Sequence, residues 1–455
     1  MKYIVILGDG MADEPQEALG GRTPLEAART PSMDEMAKTA EIGMVKTIPD
    51  GMAPGSDTAN LAVLGYNPRE YYTGRSPLEA LSIGVPMTDT DVAMRCNLVT
   101  LTEDEPYEQK RIVDHSSGEI STEDAAVLLE AVKKELENET YQFYVGTSYR
   151  HCVIKANGAE LGSEAYDVQQ VRHPDKAAES SPCEESADEQ TQQEKRIPHP
   201  GSALESLTPP HDHLTEVIGP YLPADETLLA MQKRSYEILK DHPINVERRA
   251  RGLNPANSCW FWGAGTKPMV DSFEKKNGVR GTMISAVDLL KGIAIGAGMN
   301  VVLVEGANGG LDTNYEGKAL AAVDALLDGG SDYVYVHLEA PDEMGHQGSL
   351  ERKIQSIENL DRRIIRIVKE KMDASGEPYR MLVMPDHPTP IRIRTHTADP
   401  IPYLLYDSTK NLELRDSAKC LGQENNIRIY CERTATQSGI YRPEGYRLID
   451  VLLEK

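Results

Sequence analysis

Three apolar runs in this chain stop on acid and imidazole side chains. "YIVILGDG" delivers Asp9, "DYVYVHLEAPDEMGH" delivers Asp342 and His346, and "RMLVMPDH" delivers Asp386 and His387. Each run is a nearly unbroken series of branched and aromatic residues, as a strand covered on both faces requires. Helix-like stretches lie between such runs, among them "PLEAARTPSMDEMAKTA" and "SLERKIQSIENLDRRIIRIVKEKM". Covered strands alternating with helices point to a doubly wound, mostly parallel α/β sheet. In such sheets ligands bind in the crevice beyond the carboxyl ends of the strands.

A chain of 455 residues is too long for one ordinary core, so a second domain is expected. The strand–helix rhythm loosens between about 88 and 273, where "RIVDHSSGEISTEDAAVLLEAVKKELENETYQFYVGTSYRHCVIK" reads as a small α+β unit. The organisation expected is therefore a discontinuous α/β domain, 1–87 and 274–455, with a smaller α+β domain, 88–273, inserted. Residues 163–202 are rich in Glu, Gln, Ser and Pro and almost free of aliphatics. Such a segment buries too little apolar area to offset its ordering entropy and reads as a flexible insertion.

The formal net charge of −24 argues against nucleic acid and against anionic membrane surfaces as partners. The short apolar run at the N-terminus reads as a strand rather than a signal peptide. "VDLLKGIAIGAGMNVVLVEG" is interrupted by Lys291 and four glycines, so no transmembrane helix is expected. The six cysteines are scattered without a CxxC, which suits reduced thiols in a cytoplasm. An acidic protein still binds an anionic substrate when metal ions reverse the local field.

Five oxygen and nitrogen donors thus stand at three strand ends, and His396 on the loop after His387 can join them. Aspartates with histidines and no cysteine select a cation of borderline hardness, Mn²⁺ or Zn²⁺, above Ca²⁺. So many ligands call for two ions, and a close ion pair suits phosphoryl transfer. Ser56, in "PDGMAPGSDTANLAVLGYNP", precedes a helical stretch and has two readings. It is either an ordinary N-cap or a hydroxyl exposed at a helix N-terminus and activated as a nucleophile. Trp260 and Trp262 read as packing residues. The remaining histidines (His151, His173, His199, His211, His213 and His242) read as loop or core residues, and His337 as a satisfied core histidine.

The segments "LGDGMAD", "PGSDTANLAVLGYNP", "GRSPLEA", "PDEMGHQGS", "DTNYEGKA" and "DHPTPIRIRTHTADPIPYLLY" resemble the 2,3-bisphosphoglycerate-independent phosphoglycerate mutases of the archaeal type, in the alkaline phosphatase superfamily. The resemblance implies an alkaline-phosphatase-like core and two divalent metal ions, Mn²⁺ first, with Zn²⁺, Mg²⁺ and Co²⁺ also used. It implies that Ser56 carries the phosphoryl group. One ion would be held by Asp342, His346 and His396, the other by Asp9, Asp386, His387 and the Ser56 oxygen. The implied reaction interconverts 3-phosphoglycerate and 2-phosphoglycerate through a phosphoserine, with a small phosphorylated substrate as the partner.

Water would hydrolyse that intermediate, so the inserted domain is expected to act as a lid. Asp114, His115, Arg150, Arg251 and Asn257 are its candidates for substrate contact, with Lys318 from the core side. Related chains are also proposed to act as homoserine kinases, and a metal-dependent phosphatase is the third reading. No Walker-type GxxxxGK[ST] occurs, so a kinase would rely on the metals for its nucleotide. Nothing in the sequence sets the oligomeric state.

Overall fold

The computed structural model describes residues 1–161, 198–268, 271–410 and 428–455, so the segment 163–202 lies outside it as far as residue 197. In chain order the strands are β1 (Lys2–Gly8), β2 (Glu41–Val45), β3 (Val92–Leu101), β4 (Ile112–Asp114), β5 (Tyr141–Thr147), β6 (Arg150–Lys155), β7 (Glu160–Leu161), β8 (Pro198–His199), β9 (Ser258–Thr266), β10 (Gly281–Ile284), β11 (Asn300–Val302), β12 (Tyr333–Leu338), β13 (Tyr379–Met384), β14 (Ile401–Asp407) and β15 (Tyr441–Arg442). The chain divides into Met1–Tyr72 with Met269–Lys455, and Thr73–Pro268.

The first unit is built on a sheet of order β11-β10-β12-β1-β13-β14-β2-β15. Only β14 runs against its neighbours β13 and β2; the other pairings are parallel. β12 and β13 are buried along their whole length, which explains their unbroken apolar runs. The helix Tyr315–Leu327 turns Ala319, Ala322, Val323 and Leu326 inward, the spacing of one helical face. Pairing of Gly8 with Leu338 and of Leu7 with Met384 sets the carboxyl ends of β1, β12 and β13 level.

Two helical expectations need correction. "PLEAARTPSMDEMAKTA" is not one helix but two, Pro24–Ala27 and Pro31–Ala37. Pro31 cannot donate a backbone hydrogen bond, and it disfavours helical geometry at Thr30. The later helix carries a π-helical turn at Leu360–Ile365 between Leu350–Asn359 and Arg366–Ser375. From that turn the Asp361 carboxylate accepts hydrogen bonds from Ser32 N (3.2 Å) and Met33 N (2.8 Å), capping the helix Pro31–Ala37.

The second unit holds an antiparallel sheet of order β4-β3-β6-β5, with β9 also paired to β3. The helices Thr122–Leu136 and Glu226–Leu239 pack Leu128, Leu129, Val132, Leu228 and Leu239 against it, an α+β arrangement. The unit begins earlier than residue 88 because the helix Ser76–Ser82 belongs to it. Glu79 on that helix pairs with Arg95 of β3, and Ala80 buries with Ala93 and Cys152. Trp260 is buried in this unit, and Arg95 lies over the Trp262 ring. The described cysteines Cys96, Cys152, Cys259 and Cys431 are free thiols and buried. Among the described residues no helix is long and apolar enough to cross a membrane.

Candidate metal centre

The level strand ends of the first unit bring the acid and imidazole residues together. Asp9 directly follows β1, and its N–H donates to Leu338 O at the end of β12 (2.9 Å). Asp342 and His346 lie four residues apart on the short helix Ala340–His346, so both occupy one face. Asp386 and His387 follow β13 and are fully buried. The loop beyond them closes on itself where Thr397 N donates to Pro388 O (3.1 Å). That closure returns the His396 ring to 4.1 Å from the His387 ring, centroid to centroid.

Two groups of ligand atoms result, each within 4.8 Å: Asp342, His346 and His396, and Asp9, Asp342 and His387. Asp342 belongs to both. Asp386 stands beside the second group, with Oδ2 3.5 Å from His387 Nε2. Its carboxylate accepts from Gly10 N (3.1 Å), His387 N (2.9 Å) and Asn60 Nδ2 (2.8 Å).

Several features of these groups fit divalent cations. Asp9 Oδ1 is buried without a hydrogen-bond donor. Burial, followed by the charges of Asp386 and Asp342, pushes the Asp9 carboxyl well above the usual range. His346 Nε2 and His396 Nε2 stand 3.0 Å apart, a separation that needs a proton or a cation between them. His346 Nδ1 donates to Arg394 O (2.9 Å), which turns Nε2 toward Asp342 Oδ2, 3.1 Å away. The Asp342 hydrogen bond then raises His346 to about 9. For Asp342 itself, burial acts upward, but hydrogen bonds from His346 and His396 hold it well below the usual range.

His387 is oriented through Thr389. The Thr389 hydroxyl donates to Asp342 Oδ1, so its lone pair is left for His387 Nδ1–H at 3.3 Å. His387 Nε2 therefore faces the site as a lone pair, 3.1 Å from Ser56 Oγ and 3.5 Å from Asp9 Oδ1. Burial lowers its pKa, which keeps the ring neutral. Ser56 opens the helix Ser56–Val63 and caps nothing; the N-cap position is Gly55. The capping reading of Ser56 is thus replaced by a hydroxyl directed at an imidazole. Gly10, at φ +58°, leaves no room for a side chain, since a Cβ there would lie 2.5 Å from Asp342 Oδ1 and Thr389 Oγ1.

The candidates for substrate contact have different surroundings. Lys318 is buried, donates to His337 O (3.1 Å), and is lowered by burial to about 8. In the inserted unit the Arg150 guanidinium lies 5.2 Å from the Tyr149 ring and the His115 ring 5.7 Å from it, so both neighbour the same aromatic ring. Arg251 is exposed beside Glu247, at 3.5 Å. The Asp114 carboxylate accepts from Ser116 N, Gly118 N and Asn254 Nδ2 and organises a turn. Asn257 is fully buried, donating to Leu101 O (2.9 Å) and accepting from Leu101 N (2.8 Å), which ties its amide to β3.

Sequence reasoning missed Thr389, Asn60 and Lys353. Lys353 is fully buried and donates to Asp13 Oδ2 (2.7 Å) and Thr389 O (2.8 Å), joining the loops after β1 and β13. His337 is a core histidine as expected, yet its Nε2 reaches Asp9 Oδ2 at 3.0 Å.

The α/β sheet thus carries, at its strand ends, a cluster of metal-type ligands with the Ser56 hydroxyl beside it. A sequence profile described as 2,3-bisphosphoglycerate-independent phosphoglycerate mutase matches residues 37–245. A protein of that name from Methanosarcina mazei is 45% identical over 413 residues, 90% of this chain and 91% of its own. A solved protein of Pyrococcus horikoshii is similar over 100% of this chain and 96% of its own, with a TM-score of 0.73 and 26% identity. The solved cofactor-independent phosphoglycerate mutase of Thermoplasma acidophilum shares the fold, with a TM-score of 0.58 and 23% identity over 100% of this chain and 99% of its own. The chain belongs to the 2,3-bisphosphoglycerate-independent phosphoglycerate mutase family.

Proposed function

We propose that the protein interconverts 3-phosphoglycerate and 2-phosphoglycerate, with Ser56 carrying the phosphoryl group between the two positions. The observation that carries this reading is the Ser56 hydroxyl, uncommitted to capping and 3.1 Å from His387 Nε2, beside two clusters of metal-type ligands. Ser56 Oγ bonds to phosphorus as the bond to the glycerate 3-oxygen breaks, and the serine proton ends on that oxygen. The glycerate 2-hydroxyl then bonds to phosphorus, the Ser56 bond breaks, and the proton returns to serine. One ion would be held by Asp342, His346 and His396, and the other by Asp9, Asp386, His387 and the Ser56 oxygen, with Asp342 within reach of both. Bound divalent ions, Mn²⁺ by the mixed carboxylate–imidazole donors, neutralise phosphoryl charge and lower the serine pKa. Lys318 is proposed to hold an anionic end of the substrate.

The test is a coupled enolase assay on Mn²⁺-loaded protein with 3-phosphoglycerate and no 2,3-bisphosphoglycerate. Formation of 2-phosphoglycerate is expected; its absence contradicts the proposal. In parallel arms, homoserine-dependent ATP consumption would favour the kinase, and release of inorganic phosphate alone would favour a phosphatase.

A further inference from the structure

We propose that His337 is a positioning residue for the metal centre, holding one oxygen of Asp9 so that the other is presented to a divalent ion. The inference rests on the metal-centre reading above. Pairing of Leu7 with His337 across β1 and β12 places the imidazole beside the residue that follows β1. The ring is fully buried, so water does not compete for its nitrogens.

The hydrogen-bond chain assigns its tautomer. Ser285 Oγ accepts from Val287 N (3.0 Å) and has its own hydrogen free for His337 Nδ1, 3.3 Å away. With Nδ1 accepting, the ring hydrogen sits on Nε2 and donates to Asp9 Oδ2 at 3.0 Å. Asp9 Oδ1 is left with no donor, which is the state of a carboxylate aimed at a cation. The backbone is fixed as well, because His337 O accepts from Lys318 Nζ (3.1 Å). His337 itself is not a ligand, since its one hydrogen-bearing nitrogen is engaged and the other faces Ser285. It acts through Asp9, and supporting partners of this kind typically change metal affinity by about 10- to 100-fold.

Calorimetric titration of the metal-free full chain with Mn²⁺ tests this, together with ¹⁵N spectra of the histidines. His337→Leu is expected to weaken one ion by about 10- to 100-fold and leave the other unchanged. His337→Gln returns a donor near the Nε2 position and is expected to recover most of that loss. Ser285→Ala, which frees the tautomer, is expected to weaken the same ion by less. In the metal-free protein His337 should carry its hydrogen on Nε2. Unchanged binding of both ions by His337→Leu, equal losses for the Leu and Gln variants, or a hydrogen on Nδ1 would each overturn the inference. Should His337→Leu fail to fold, His337→Gln binding like wild type with weakened Ser285→Ala supports it, and full binding by Ser285→Ala overturns it. Wild-type protein that takes up no Mn²⁺ would contradict the metal reading instead, and the nitrogen spectrum would still decide the His337–Asp9 bond.

Discussion

Asp342 and His396 occupy unequal positions in the centre. His396 belongs to one ligand group, whereas Asp342 belongs to both. His396→Ala is therefore expected to remove one ion and spare the other, while Asp342→Asn depletes both; elemental analysis of reconstituted protein distinguishes these outcomes. A second residue-scale effect lies beside the centre. Glu432, largely buried, accepts from Thr23 Oγ1 (2.6 Å) and Asp13 N (3.3 Å), and burial raises it from 4.5 to about 6. A carboxyl with a raised folded pKa keeps its proton in the folded state where the unfolded chain has lost it. Its contribution to stability thus falls as pH rises from about 4.5 to 6. The fall is at most ~2 kcal/mol, reduced by the solvent that still reaches the side chain. Glu432→Gln should gain stability over wild type across that window in denaturant titrations; a pH-independent difference would contradict the assignment.

At the scale of elements, the strands were readable because burial on both faces leaves an unbroken apolar run, and the runs of β1, β12 and β13 lead into the acid and imidazole residues of the cluster. Asp9, Asp342 and Asp386 are legible for that reason. Their supports are not. Asn60 bonds Asp386 across 326 residues, and no local pattern encodes such a partner. The period of two along β12 does place Tyr335 and His337 on one face, and both lead to the centre, Tyr335 through Asn60 and His337 through Asp9. The break at Pro31 was also available in the sequence, from the restricted residue before a proline. The π-helical turn was not, because its apolar residues keep a helical spacing. That turn supplies Asp361 as a cap, so Asp361→Ala should cost about 1–2 kcal/mol, measured by denaturant unfolding. Unchanged stability would show that Ser32 N and Met33 N need no partner.

At the scale of the whole molecule, a net charge of −24 opposes the approach of an anionic substrate. The site itself adds three carboxylates, Asp9, Asp342 and Asp386, so attraction must come from bound cations and nearby amines. Chelated protein is accordingly expected to lose phosphoglycerate binding along with turnover, as calorimetry can read; binding that survives chelation would assign the attraction to side chains alone. Family membership extends over nearly the whole chain, inserted unit included. Transfer itself turns on one oxygen atom, Ser56 Oγ, 3.1 Å from His387 Nε2. Mn²⁺-loaded protein given 3-phosphoglycerate and quenched in acid during turnover should carry phosphate on the peptide containing Ser56, and Ser56→Ala should neither carry it nor turn over. Turnover without label at Ser56, or turnover by Ser56→Ala, would contradict the account.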